Sequence, residues 1–159
     1  MDDPRELGDP GRSSFTLDQY PFYLLNRVVS RYNAIIGAEL RKLGIDIPTW
    51  RVLMILGERA PRGIAEIAQA GVINISTMTR IIQRMTRDGL TECKPLADDA
   101  RVTEVRLSAH GEEKLAVARA VTAPVYKRVI KGFSRREFEQ LIASLNRLHD
   151  NLGQPPGEG

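Results

Sequence analysis

The residues after Asn74 carry the clearest chemical signal in the chain. Ser76, Thr77, Thr79, Arg80, Gln83, Arg84 and Arg87 recur on one side of a helical period, and Met78, Ile81, Ile82 and Met85 recur on the other. The three arginines lie three to four residues apart and partly share their face, with only Asp88 to offset them locally. Such a face suits hydrogen bonds to base edges and phosphate oxygens; a merely solvated helix face carries the same residue types. A second charged group, Asp98, Asp99 and Arg101, sits between two stretches of alternating pattern. Other chemistry is poorly supplied. There is no Gly-rich phosphate loop, no nucleophile elbow and no His–carboxylate pair at a useful spacing. The single Cys93 cannot form an internal disulfide, and His110 and His149 lie far apart with no Cys or acids arranged around them as ligands. No metal, no cofactor and no enzymatic activity is expected.

These residues need a scaffold. The chain has 159 residues, 42% apolar and 27% charged, which fits one domain or one core with helical extensions. No apolar run approaches the ~18 residues of a spanning helix; Val52 to Leu56 is broken by Gly57. The start, Met1-Asp2-Asp3-Pro4-Arg5-Glu6, lacks the basic-then-apolar order of a signal peptide. A cytoplasmic location without membrane contact is therefore expected. The net charge is +3, yet both ends are acidic: Asp2, Asp3, Glu6 and Asp9 outnumber Arg5 and Arg12, and Glu158 stands alone. A basic middle is compatible with nucleic-acid binding, although many non-binders share it.

Asp2 to Ser14 and Gly153 to Gly159, rich in Pro, Gly and acids without a period, read as tails. Pro21 suits the first turn of a helix. Phe22, Leu25, Val28, Val29, Tyr32, Ile35, Ile36 and Leu40 then follow at helical spacing until Gly44. The breadth of that apolar arc suggests contacts on two sides, as at a dimer seam. Pro48 opens a shorter helix carrying Trp50, Leu53, Met54 and Leu56 inward, and Gly57 to Gly63 reads as a connection. A short helix over Ile64 to Ala70 stops at Gly71, and Asn74 is a good N-cap for the polar-faced helix, which Asp88-Gly89-Leu90 ends. The period then changes to two. Leu90 to Leu96 and Val102 to Leu107 predict strands joined by a polar tip at Ala97 to Arg101. Ser108 caps a long helix that runs to Lys131 and that Pro124 should kink. Gly132 ends it, and Ser134-Arg135-Arg136-Glu137 is a capping box for a last helix bearing Phe138, Leu141, Ile142, Leu145, Leu148 and Leu152.

A short helix, a tight turn, a polar-faced helix and a hairpin with a charged tip describe a winged helix-turn-helix, mainly α with a small two-stranded β-wing. In that arrangement the first helix braces the second, whose apolar stripe locks it to the body while its polar face enters the major groove. The hairpin tip reaches a neighbouring minor groove or the phosphates. The run from Trp50 to Gly111 resembles the MarR (multiple antibiotic resistance regulator) family of bacterial transcription factors. The matching pieces are Trp50-Arg51-Val52-Leu53, Ile67-Ala68, Ser76-Thr77-Met78-Thr79-Arg80, Arg87-Asp88-Gly89-Leu90, Asp99-Ala100-Arg101 and Leu107-Ser108-Ala109-His110-Gly111. The resemblance implies long N- and C-terminal dimerisation helices, over 15–44 and 108–152, flanking a DNA-binding lobe over 45–107, with flexible tails at 1–14 and 153–159. It also implies a homodimer on a palindromic operator in double-stranded DNA. Such proteins usually repress genes and leave DNA when a small ligand, often phenolic or aromatic, binds.

On the same resemblance, Ser76, Thr77 and Arg80 lie where bases are met, Arg80 as a guanidinium that forks onto a guanine. Thr79, Gln83 and Arg84 touch phosphates or nothing. Asp99 and Arg101 match the family's Asp-x-Arg at the wing tip, where the Arg enters the minor groove and the Asp orients it; a charged turn is also what any hairpin tip needs. Asn26, Arg27, Ser30, Trp50, Arg51 and Met54 are candidates for the ligand site, with a buried arginine pairing an aromatic carboxylate. Core packing or surface ion pairs account for the same residues. Redox-sensing relatives carry their cysteine on the first long helix, where this chain has none, so Cys93 reads as packed or idle. Two other functions compete. A protein-docking winged helix predicts an acidic or apolar recognition face, unlike the Ser/Thr/Arg/Gln face here, and an enzyme lacks its chemical groups.

Overall fold

The computed structural model describes residues 3–153. The first departure from the sequence reading is at the N-terminus. Residues up to Ser14, expected as a tail, include a one-turn helix α1 (Pro4–Leu7) that Asp3 caps by accepting from the Arg5 amide at 2.9 Å. The chain then folds back, with the Thr16 amide donating to the Leu7 carbonyl at 2.8 Å and a 3₁₀ turn at Leu17–Gln19. A helix of one turn leaves no period to read in a sequence. Met1, Asp2 and the expected tail beyond Gly153 lie outside the described residues.

The described chain forms two compact units, one ending at Thr122 and the other starting at Ala123. The first holds the core. Helix α2 (Pro21–Arg41) buries only its C-terminal end, through Ile36, Gly37 and Leu40. Helix α3 (Ile47–Glu58) starts where the Asp46 carboxylate accepts from the Thr49 amide at 2.8 Å, with Pro48 in its first turn. It buries Trp50, Val52, Leu53 and Leu56. Met54, expected to face inward, is instead exposed, because Val52 and Leu53 already occupy the inward side.

Strand β1 (Arg62–Gly63), helix α4 (Ile64–Gly71), helix α5 (Ile75–Arg87), strand β2 (Thr91–Pro95) and strand β3 (Thr103–Leu107) complete the lobe. The sheet is antiparallel with order β1-β3-β2, pairing Cys93 with Val105 on one side and Arg62 with Val105 on the other. A three-stranded sheet thus replaces the expected two-stranded hairpin. The added strand is too short to alternate visibly. The buried Arg62 side chain anchors it, donating to the Arg59 carbonyl at 2.8 Å and to Glu58 at 2.7 Å. Ile36, Leu40, Leu53, Ile67, Met78, Ile82, Met85, Val105 and Leu115 are almost wholly buried together, each contributing about 1.5–3 kcal/mol.

Helix α6 (Ala109–Val129) is opened by Ser108, whose hydroxyl accepts from the Gly111 amide at 3.0 Å, and it contains Pro124. Helix α7 (Arg135–Gly153) opens on the capping box read from the sequence: the Ser134 amide donates to Glu137 at 2.8 Å and the Glu137 amide to Ser134 Oγ at 3.3 Å. The Ser134 hydroxyl, donating at 2.6 Å, and the Ser134 amide hold the Glu137 carboxyl below its ordinary pKa. No residue of α7 is buried.

Candidate nucleic-acid interface

The interface is built on the turn between α4 and α5. Val72, not Gly71, takes the left-handed conformation there, with φ of 53°. Gly71 serves close packing: a Cβ at that position would lie 3.1 Å from Met78 Cε and 3.6 Å from Ile55 Cδ1. Asn74 caps α5, its Oδ1 accepting from the Thr77 amide at 2.8 Å and from the Ser76 hydroxyl at 2.9 Å. Met78, Ile81, Ile82 and Met85 are all buried, which fixes the helix about its own axis. At the far end Gly89 adopts φ of 75° and the Leu90 amide returns to the Met85 carbonyl at 2.8 Å, a turn that needs glycine.

That anchoring separates the side chains of the expected polar face of α5 into three groups. Ser76, Thr77, Arg80, Gln83 and Arg87 are exposed, and Arg80, Gln83 and Arg87 have no hydrogen-bond or ion-pair partner among the described residues. Thr79 is half-buried and donates to the Ile75 carbonyl at 2.8 Å. Arg84 turns toward α3, donating through one nitrogen to Asp46 at 2.8 Å and to Thr49 Oγ1 at 3.0 Å. Burial by itself pushes the Asp46 carboxyl up, but the Thr49 hydrogen bonds and the Arg84 guanidinium together hold it below its usual value.

At the hairpin tip, Asp99 Oδ1 accepts from both the backbone amide and Nε of Arg101, each at 3.1 Å. The acid holds the base of the arginine while the side chain stays 92% exposed. Cys93 is exposed on β2, its sulfur 3.4 Å from Thr86 Oγ1. His110 and His149 are exposed beside Glu113 and Asp150. Among the described residues no three His, Cys, Asp or Glu side chains are grouped to hold a metal ion.

The six expected ligand residues fall into two separate concavities. Asn26, Arg27 and Ser30 line one of about 780 Å³ formed along α2, where the Arg27 guanidinium lies 5.4 Å from the centre of the Tyr23 ring. Trp50, Arg51 and Met54 line another of about 560 Å³ together with Tyr32, Ile55 and Val72. Tyr32 falls in the apolar period of α2, so the sequence presents it as core; burial pushes its phenol pKa up. A third concavity of about 380 Å³, which the sequence did not signal, is lined by Arg41, Asp46, Thr49, Arg84 and Lys114. Its residues come from four separate segments and share no local pattern.

A braced helix with an exposed hydroxyl, amide and guanidinium face, beside a hairpin with an arginine at its tip, defines a winged helix-turn-helix of the nucleic-acid-binding kind. Residues 45–103 match the MarR family. Over 144 residues the chain is 35% identical to the HTH-type transcriptional repressor IacR of Pseudomonas putida, covering 91% of this chain and 86% of that one. The chain belongs to the MarR family, whose members are DNA-binding transcriptional regulators rather than enzymes. A MarR-family transcriptional regulator from Silicibacter pomeroyi superposes with a TM-score of 0.79 at 26% identity, over 91% of this chain and 96% of that one. A cysteine-to-serine mutant of MarR from E. coli, solved with operator DNA, shares the fold at 19% identity, with a TM-score of 0.70 over 79% and 90% of the two chains. Among the described residues no helix is long and apolar enough to cross a membrane.

Proposed function

We propose that this regulator is a homodimeric repressor that binds a palindromic operator and leaves it when a small aromatic or phenolic ligand binds. Within each lobe, Ser76, Thr77 and Arg80 meet base edges in the major groove, Gln83 meets phosphate, and Arg101, oriented by Asp99, enters the adjacent minor groove. The observation that carries this reading is the outward face of α5: its donors are exposed and its arginine Arg80 is unpaired among the described residues, on a helix that a buried apolar stripe holds still. The relative named a repressor and the relative solved on operator DNA support it. The exposed Phe22, Leu24, Val28 and Val29 of α2, and Leu141, Ile142 and Leu145 of α7, support a dimer, since each stripe is apolar surface left in water. For the ligand, Tyr32, Trp50 and Arg51 offer aromatic walls and a guanidinium around one concavity.

The test is a footprint on the DNA upstream of the protein's own gene, across a salt series. A protected palindrome with half-sites ~10 bp apart, lost as salt rises, is expected. Arg101→Ala should weaken protection and blur sequence preference at the minor-groove positions. Absence of protection there, and of any sequence selected from random DNA, would overturn the reading.

A further inference from the structure

The sequence places Arg84 on the same face as Arg80 and Arg87, as a candidate contact to DNA. The structure gives it other work. Its Nη2 donates to Asp46 Oδ2 at 2.8 Å and to Thr49 Oγ1 at 3.0 Å, linking residues 38 and 35 positions apart. Asp46 is at the same time the N-cap of α3, its other oxygen accepting from the Thr49 amide at 2.8 Å. Among the described residues, Arg84 is the only side chain of α5 with a hydrogen bond to the start of another helix. Thr86 reaches only β2, through Thr91 at 2.9 Å and Cys93.

We infer that Arg84 is a positioning residue, not a DNA contact: with Asp46 it clamps the C-terminal half of α5 to the N-terminus of α3 and so sets the angle at which Ser76, Thr77 and Arg80 are presented. This rests on the reading of α5 as the helix that meets operator DNA. The buried stripe of Met78, Ile81, Ile82 and Met85 fixes which face of α5 points outward, but apolar burial is non-directional and does not by itself set the tilt of the helix against α3. A two-point hydrogen bond from one guanidinium nitrogen to a carboxylate and a hydroxyl is directional where that packing is not. The clamp is also partly open to water, along the concavity of about 380 Å³ that Arg41 and Lys114 share. Its strength is therefore modest and its effect is on orientation.

The two roles for Arg84 predict opposite signs for one substitution. Asp46→Asn keeps an N-cap of equal quality for α3, leaves the shape unchanged and removes the negative charge beside Arg84. If Arg84 reached a phosphate, losing the neighbouring anion would tighten operator binding. If Asp46 holds Arg84 as a clamp, binding weakens. The experiment measures operator affinity across a salt series for the parent, Asp46→Asn, Arg84→Met and the double variant, with thermal melting of each to establish that it is folded. The operator is a sequence selected by the parent protein from random DNA.

The expected result is a loss of about threefold to tenfold for either single variant, in the range of a charge-assisted pair that is partly solvated. The double variant should be no worse than the weaker single, because both remove the same link. The slope of log affinity against log salt should match the parent in all of them. A tighter Asp46→Asn protein, additive losses, or a slope reduced by about one unit in Arg84→Met, the signature of a lost phosphate contact, would each overturn the clamp. If the parent selects no DNA, the proposed function falls and the clamp falls with it; if the parent binds and Asp46→Asn binds tighter, the clamp alone falls.

Discussion

Three arginines with the same chemistry have three different fates, and their nearest acid decides which. Arg80 has no acid within reach among the described residues and stands exposed, free to trade water for a base edge or phosphate. Arg101 is held at its Nε by Asp99 at 3.1 Å while the rest of its side chain projects, which would lower the entropy lost on the groove entry proposed above. Arg84 meets Asp46 end on, and its Nη2 is engaged within the fold by Asp46 and Thr49. The Asp46 carboxyl is lowered in the folded protein, so its contribution to stability has a definite sign with pH. It is fully present above the unfolded value, about 3.9, and is lost as pH falls through the lower folded value. Melting curves of the parent and Asp46→Asn should therefore differ at pH 7, with the parent more stable, and converge as pH falls below about 4. Curves that stay equally separated down to strong acid would show that the carboxylate charge contributes nothing.

At the scale of elements, the parts visible in the sequence are those whose signal is local. The Asn74 cap, the Gly89 turn, the Ser134–Glu137 box and the period of α5 each depend on residues within a few positions of one another, and each is found in the structure. The hidden parts depend on distant partners. β1 exists because Arg62 and Gly63 pair with Val105 and Glu104. Met54 is exposed because its neighbours fill the core, and Arg84 turns toward α3 because Asp46 lies 38 residues upstream. The candidate ligand residues are divided for the same reason, since helical spacing cannot tell which concavity a side chain lines. The α4–α5 turn shows a local rule yielding to a packing demand. Gly71 is used where a Cβ would crowd Met78 Cε at 3.1 Å, and the left-handed position falls to Val72, a β-branched residue at φ of 53° that is 89% exposed. That conformation costs a β-branched residue ~1–2 kcal/mol. Val72→Asn, which tolerates it, should raise stability by about 1 kcal/mol and the melting temperature by roughly 2–4 °C. An unchanged or lowered melting temperature would mean that Val72 contributes packing that offsets its backbone.

At the scale of the molecule, the question is how many lobes meet DNA at once. α7 buries none of its residues, although Leu141, Ile142, Leu145 and Leu152 line one face of it. A helix with that pattern is soluble on its own only at the cost of exposed apolar surface, roughly 25 cal/mol per Å². A second copy is the occupant proposed above. The consequence for DNA binding is quantitative, because each lobe that docks neutralises its own set of phosphates and releases their counterions. Placing charge in the stripe, as in Leu141→Glu with Leu145→Glu, changes no residue of the unit that ends at Thr122 and should halve the mass measured in solution. The salt dependence should follow the mass. If two lobes bind together, the slope of log affinity against log salt in the monomeric variant should fall to about half that of the parent, since the slope scales with the phosphates contacted. Affinity for a full palindrome should drop to that for a single half-site. A variant that is monomeric by mass and keeps the full slope would show that one lobe makes all the contacts. A variant that stays dimeric would place the subunit contact elsewhere, with the exposed valines of α2, Val28 and Val29, the next positions to charge.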